Sequence, residues 1–316
     1  MITTNGIGDF VTPIQYLDCI SGNRIYVKRE DLLPFSFGGN KARKAALFFD
    51  KIDGSGSDCV VTYGGNSSNH CRVVANMAAA RGLKCLIVSP REACAPTYNS
   101  RMTELFGAER ITVPIGDVHD TIETLIQRLR AEERRPFFIP GGGHGNTGTQ
   151  TYVDCYGEIR RFEASDRVSF DYIFHASGTG TTQAGLVCGK LLHGGSETIV
   201  GISIARKNPR GRQAVADSVR EYLSAQSRVV PETGIEEAVV FDDAYVGNGY
   251  GADGPSDVID EALLRYGLPL DPVYTGKAFR GMLAYLKERQ LSGKNILFIH
   301  TGGAPLFFDY LNNKGN

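Results

Sequence analysis

Lys41 stands in Phe37-Gly38-Gly39-Asn40-Lys41-Ala42-Arg43-Lys44, directly after the extended run 25–31. Two glycines ahead of a helix let the backbone approach something closely. Asn40 is a residue type that caps helices well. That leaves Lys41 at the helix mouth, where the dipole disfavours a cation. An ammonium destabilised in this way gives up its proton more readily, as a Schiff-base lysine must. The same residues also suit a bland alternative, a solvated basic first turn of Lys41, Arg43 and Lys44.

Four glycine-rich or polar turns carry the other candidates: residues 64–70, 141–144, 177–182 and 301–303. In Ser177-Gly178-Thr179-Gly180-Thr181-Thr182 the glycines free backbone N–H groups, the hydroxyls add donors, and a helix N-terminus attracts an anion. This reads as a phosphate cradle. No Gly-Lys-Ser/Thr follows, so it is not a Walker loop. The glycine after Gly180 is Gly185, two positions late for a dinucleotide fingerprint. A monophosphate fits better, with a plain strand–helix turn as the alternative. Ser67-Ser68-Asn69-His70 also opens a helix. Its N–H groups and hydroxyls suit a carboxylate, although helix capping accounts for the serines as well.

These turns need elements to hold them. Near-continuous apolar runs at 59–63, 84–89, 110–114, 136–140, 172–176, 198–204 and 295–300 predict strands covered on both faces. Helical patterns lie between them at 69–81, 97–106, 118–133, 147–162, 181–192 and 276–289. The alternation predicts an α/β protein with parallel sheets. In such sheets ligands bind beyond the carboxyl ends of strands. All four turns fall there, which predicts one cleft. The stretch 224–237 is polar and irregular and reads as a surface loop.

With 316 residues the chain is long enough for about two domains. Lys and Arg number 34 and Asp and Glu 35, a net charge of −1, so no basic excess exists to neutralise nucleic-acid phosphates. The seven cysteines, Cys19, Cys59, Cys71, Cys85, Cys94, Cys155 and Cys188, are odd in number and lack metal-site spacing. Neither a disulfide framework nor a metal is expected. No signal-peptide pattern and no apolar run of membrane length is present. A cytoplasmic protein with no membrane partner is the expectation.

Lys41 in Gly-Gly-Asn-Lys-Ala-Arg-Lys, Ser68-Asn69-His70, residues 177–182, Asp271-Pro272-Val273-Tyr274 and His300-Thr301-Gly302-Gly303 occur in that order over nearly the whole chain. Together they resemble the D-cysteine desulfhydrase and 1-aminocyclopropane-1-carboxylate (ACC) deaminase family of pyridoxal 5'-phosphate (PLP) enzymes. The resemblance implies the tryptophan-synthase-β fold (fold type II): two open twisted, mainly parallel sheets with flanking helices. It implies a large PLP-binding domain of residues 1–50 and 154–316, a small domain of residues 51–153, and a homodimer. Lys41 matches the lysine that carries the cofactor and moves the α-proton. Asn69 matches the partner of the cofactor's phenolic oxygen. Ser177, Gly178, Thr179, Gly180 and Thr181 match the phosphate loop, and Thr301 the residue near the pyridine nitrogen. Ser68 matches a catalytic serine at the substrate carboxylate. Tyr274 matches a substrate-side catalytic tyrosine, and Tyr250 its partner. Ser67, His70 and His144 complete the candidate substrate contacts. For His70 and His300 a packed structural role is the alternative, and His144 could reach the cleft or cap a turn.

Two positions separate the branches. The deaminase branch has glutamate after the Asp-Pro-Val-Tyr tyrosine and leucine after the histidine of His-Thr-Gly-Gly; here they are Thr275 and Thr301. A hydroxyl does not force protonation of the pyridine nitrogen, and a weaker electron sink suffices when the β-group is a good leaving group. The resemblance therefore implies β-elimination, with D-cysteine giving pyruvate, hydrogen sulfide and ammonia. ACC ring opening, or β-replacement on another amino acid, is the alternative. Ser67 stands where the family usually has glutamine, and the loop 141–146 departs from the commoner Gly-Gly-Ser form. Both departures fall at the substrate.

Overall fold

The computed structural model describes residues 10–314; the leader reading of the N-terminus concerns residues 1–9, which lie outside it. Strands β1 (Ile14–Ile20) and β2 (Asn23–Lys28) precede helix α1 (Asn40–Ser55). There follow β3 (Cys59–Tyr63), α2 (Asn69–Ala80), β4 (Lys84–Pro90), α3 (Tyr98–Leu105), β5 (Glu109–Val113), α4 (Val118–Ala131) and β6 (Pro136–Phe138). The long α5 (Asn146–Asp166) leads to β7 (Tyr172–Ser177), α6 (Thr181–His193), β8 (Thr198–Ser203), α7 (Arg210–Ala225), α8 (Glu232–Ala238) and β9 (Val240–Asp242). The chain closes with α9 (Ser256–Tyr266), α10 (Thr275–Glu288), β10 (Asn295–Ile299) and α11 (Ala304–Lys314).

A six-stranded sheet has the order β1-β2-β10-β7-β8-β9 and a four-stranded sheet the order β5-β4-β3-β6. Among the described residues only the β1–β2 pair is antiparallel; the other pairs are parallel. Successive residues of the central strands feed opposite faces, as the strand period requires. In the large sheet Ile173, Ile199 and Leu297 join one buried cluster, and Phe174, Val200 and Phe298 another. In the small sheet Val60 and Ile87 join one cluster, and Val61 and Leu86 its opposite. Both faces are apolar and helix-covered, which is why these strands read as uninterrupted apolar runs.

The expected strands and helices recur with ends shifted by a few residues. The expected surface loop 224–237 is corrected: it begins in the last turn of α7 and ends in α8, whose Ile235 and Ala238 are buried. A domain boundary at 50/51 falls inside α1, and one at 153/154 inside α5. The apolar face of α1 (Ala45, Phe48, Phe49, Ile52) packs with the small-sheet core, whereas Tyr152, Tyr156 and Ile159 of α5 pack with the large one.

Candidate active site

Gly39, not the expected Asn40, caps α1. Gly39 has φ of 88°, and a Cβ there would lie 2.6 Å from Thr301 O. Only glycine adopts this backbone without strain and lets the two turns touch. Asn40 N donates to Thr301 O at 3.0 Å, and Asn40 Nδ2 donates to Thr182 Oγ1 at 3.1 Å. The start of α1 is thus tied to two of the four turns. Lys41 Nζ, partly buried, donates to Gly142 O at 3.2 Å in a third. Burial pushes this amine down to about 8, opposed by the neighbouring Cys71 thiol. The expected direction holds, but desolvation supplies it where the helix dipole was expected to.

The turn 141–144 closes over the lysine. A Cβ at Gly142 (φ 72°) would meet Thr179 Cγ2 at 2.9 Å and Lys41 Nζ at 3.3 Å. His144 Nδ1 lies 2.8 Å from Thr181 Oγ1, so His144 sits on the first turn of α6. There burial, Lys44 and Arg206 keep the imidazole neutral. Ser177 departs from the expectation that its hydroxyl faces an anion. It ends β7, is 1% exposed, and donates to Gln183 Oε1 at 3.0 Å. The cradle is therefore built from Gly178, Thr179, Gly180 and Thr181 at the N-terminus of α6, with Arg206 Nη1 holding Thr179 O at 2.9 Å.

Ser68 caps α2, its Oγ accepting from Cys71 N at 3.2 Å. Asn69 Oδ1 accepts from Arg72 Nη1 at 2.7 Å and Asn99 Nδ2 at 3.0 Å. Ser67 contributes its carbonyl to Asn99 at 2.9 Å. His70 is corrected as a substrate contact. It is 3% exposed, its Nε2 lies 2.9 Å from Thr62 Oγ1 of β3, and burial drives its pKa well below the ordinary value. It packs the small-sheet core. His300 likewise accepts from Gly302 N at 3.2 Å and shapes the last turn.

Tyr250 and Tyr274 face each other edge-on with centroids 6.2 Å apart, and Tyr250 Oη approaches Gly178. Burial pushes the Tyr274 phenol up, with the charge of Tyr250 adding, and partial desolvation pushes up that of Tyr250, whose side chain is half exposed. Both are neutral donors at neutral pH. Buried Asp271 aims Tyr274: its Oδ1 accepts from the N–H groups of Val273 and Tyr274, and its Oδ2 from Thr275 N. Thr275 is corrected as a partner for a pyridine nitrogen, since its hydroxyl donates to Asp271 Oδ2 at 2.7 Å and accepts from Asp271 N at 2.8 Å. The Thr301 hydroxyl makes no hydrogen bond among the described residues.

Three further side chains belong to the cleft. Lys44, one turn on from Lys41, is 1% exposed, and its Nζ has no hydrogen-bond partner among the described residues. Burial and the charge of Lys41 hold it far below an ordinary lysine. The i, i+3 spacing to Lys41 signals that the two share a face. Tyr63, at the end of β3, lies against Gly141. Arg72 shows no sequence signal beyond being basic. Two desolvated amines with no carboxylate paired to them among the described residues, beside the N-terminus of α6, fit a phosphate-bearing aldehyde. Lys41 would take the aldehyde carbon; Lys44 and the N–H groups of residues 178–181 would take the phosphate.

A family model described as pyridoxal-phosphate dependent enzyme matches residues 7–302. Among solved structures, an ACC deaminase homologue is 32% identical with a TM-score of 0.83, over 96% of this chain and 93% of its own. A hydrogen sulfide-producing enzyme from Fusobacterium nucleatum is 18% identical with a TM-score of 0.63, over 95% of this chain and 98% of its own. An O-ureido-L-serine synthase is 16% identical with a TM-score of 0.69, over 98% and 94%. At such identities the last two bear on the fold alone.

Proposed function

The chain belongs to the pyridoxal-phosphate dependent enzyme family, and from that premise we propose that it is a β-eliminating lyase acting on a β-substituted amino acid. D-cysteine is the first candidate, giving pyruvate, hydrogen sulfide and ammonia. The observation that carries this reading is the Lys41 amine, pushed down to about 8 in a cleft whose two tyrosines are pushed up. Such a cleft holds an amine that gives up its proton near neutral pH beside two neutral proton donors.

Lys41 would hold PLP, which when bound would supply the electron sink for the pair left at the substrate's Cα. Asn69, Thr301 and the turn 178–181 orient it. Ser68 and the N–H groups opening α2 receive the substrate carboxylate. Once the substrate's own amine has replaced it on the cofactor, the freed Lys41 amine takes the proton from Cα, and the Cβ–S bond breaks as the Cα–Cβ double bond forms. The leaving thiolate takes a proton from Tyr274, with Tyr250 beside it. Water hydrolyses the resulting enamine to pyruvate and ammonia. Lys41 and the tyrosines return to their starting protonation as the Cα proton passes back through solvent. Thr301, the residue matched to the pyridine nitrogen, offers a hydroxyl and no carboxylate to hold that nitrogen protonated, which suits a good leaving group better than a cyclopropane.

ACC ring opening is the second reading, favoured by the 32% identity to a structure described as an ACC deaminase homologue. A cytoplasmic homodimer completes the proposal. The test is to assay sulfide and 2-oxoacid from D-cysteine, L-cysteine, β-chloro-D-alanine and ACC with purified holoenzyme. Equal sulfide and pyruvate from D-cysteine is expected. A 2-oxoacid from ACC without sulfide from D-cysteine would replace the first reading by the second.

A further inference from the structure

The first turn of α2 carries a charge that the chemistry above does not use. Arg72 is 1% exposed, and among the described residues no carboxylate pairs with it. A buried cation without an anion is expensive to keep. Its guanidinium donates to Asn69 Oδ1 at 2.7 Å, to Asn99 Oδ1 at 2.7 Å and to Ser36 O at 2.9 Å, while Nε has no partner. The Phe37 ring lies 5.8 Å from Cζ.

Two consequences follow from these bonds. Arginine only donates, and Asn99 Nδ2 donates to the same Asn69 oxygen. Asn69 is therefore locked with its oxygen inward and its NH2 outward, and that NH2 has no partner among the described residues. Ser36, Phe37, Gly38 and Gly39 have φ of 46°, 58°, 60° and 88°. Two of these four are side-chain-bearing residues in the left-handed region, a conformation that neighbouring contacts must hold. Arg72 grips the first of them, five residues before Lys41.

We propose that Arg72 is a positioning residue that fixes Asn69 as a donor and lends that donor an uncompensated positive charge, so that the oxygen Asn69 serves is held as an anion. The proposal rests on the reading above, in which that oxygen is the cofactor's phenolic oxygen. Arg72 acts through Asn69; the nearby amines of Lys41 and Lys44 stay as they are in each variant.

The test is the absorbance spectrum of the holoenzyme against pH for the native protein, Arg72→Met, Arg72→Gln and Arg72→Lys. In Arg72→Met the band of the ionised-phenol form falls, the shorter-wavelength band of the neutral phenol rises, and the spectral midpoint moves up by about one pH unit, the scale of a nearby charge. Arg72→Gln, which keeps a donor without the charge, moves the same way and serves if Arg72→Met does not fold. Arg72→Lys keeps the charge and stays near the native midpoint. The proposal is overturned by native band ratios and midpoint in a folded, charge-free variant, by an equal shift in Arg72→Lys, or by failure of both charge-free variants to fold. A native protein with no cofactor band dependent on Lys41 would overturn the functional reading instead.

Discussion

At pH 7 about one Lys41 amine in ten is free when the group titrates near 8, against about one in three thousand at the ordinary lysine value. The sign follows from burial: the charged form is penalised, so the free amine accumulates as pH rises through 8. In the cofactor-free protein, amine-directed acylation at Lys41 should therefore rise with a midpoint near pH 8, read by mass spectrometry of the Lys41 peptide. A midpoint at the ordinary lysine value would mean the cleft does not desolvate it. Tyr274→Phe removes a proton donor and should lower kcat by about 10²–10⁴-fold with the cofactor spectrum retained. Lys41 and the turn residues were legible because each sits in a short motif whose chemistry is local. Lys44 and Arg72 were not, because their importance comes from what packs over them, which their neighbours in sequence do not reveal. Ser177 and Thr275 misled for the same reason: a hydroxyl in a polar turn has several partners to choose from, and Gln183 and Asp271 claim them.

Among the elements, α1 is aimed by its cap. Gly39→Ala would put a Cβ 2.6 Å from Thr301 O at a φ of 88°, at a cost of about 1–3 kcal/mol. The melting temperature should fall accordingly, and cofactor retention with it; an unchanged melt would show that the turn relaxes freely. Strands β7, β8 and β10 were legible because parallel strands buried on both faces read as apolar runs. β1 has a partly exposed edge pattern and β9 is three residues long, so neither leaves a run to read. Helices α7 and α9 were obscured by their charged outer faces, and α8 by its length of seven residues.

Across the whole molecule, a buried charge network joins the large sheet to the lysine helix. Lys28 of β2 meets Glu158 of α5 at 2.6 Å, while Arg43 of α1 meets Glu30 at 2.6 Å and Glu158 at 2.7 Å. Thr12 and Tyr152 also donate to Glu30. Two cations match two anions, so Glu30 and Glu158 are neutralised without a metal even though they cluster with Cys155. Burial pushes Glu30 up, but Arg43, Lys28 and Thr12 outweigh it and hold the carboxyl at about 2. Its contribution to stability is thus complete above its unfolded value of 4.5 and is lost as pH falls toward 2. Glu30→Gln strands a buried cation and should cost about 3–5 kcal/mol in denaturant unfolding; a loss under 1 kcal/mol would show that water reaches the network. Lys41 therefore occupies a helix anchored on one side by this network and tied on the other to three of the four turns. The most direct test of that arrangement is to reduce the holoenzyme with borohydride, digest it, and read which peptide retains the cofactor. The account predicts Lys41 alone; label on Lys44, on another lysine, or on none would contradict it.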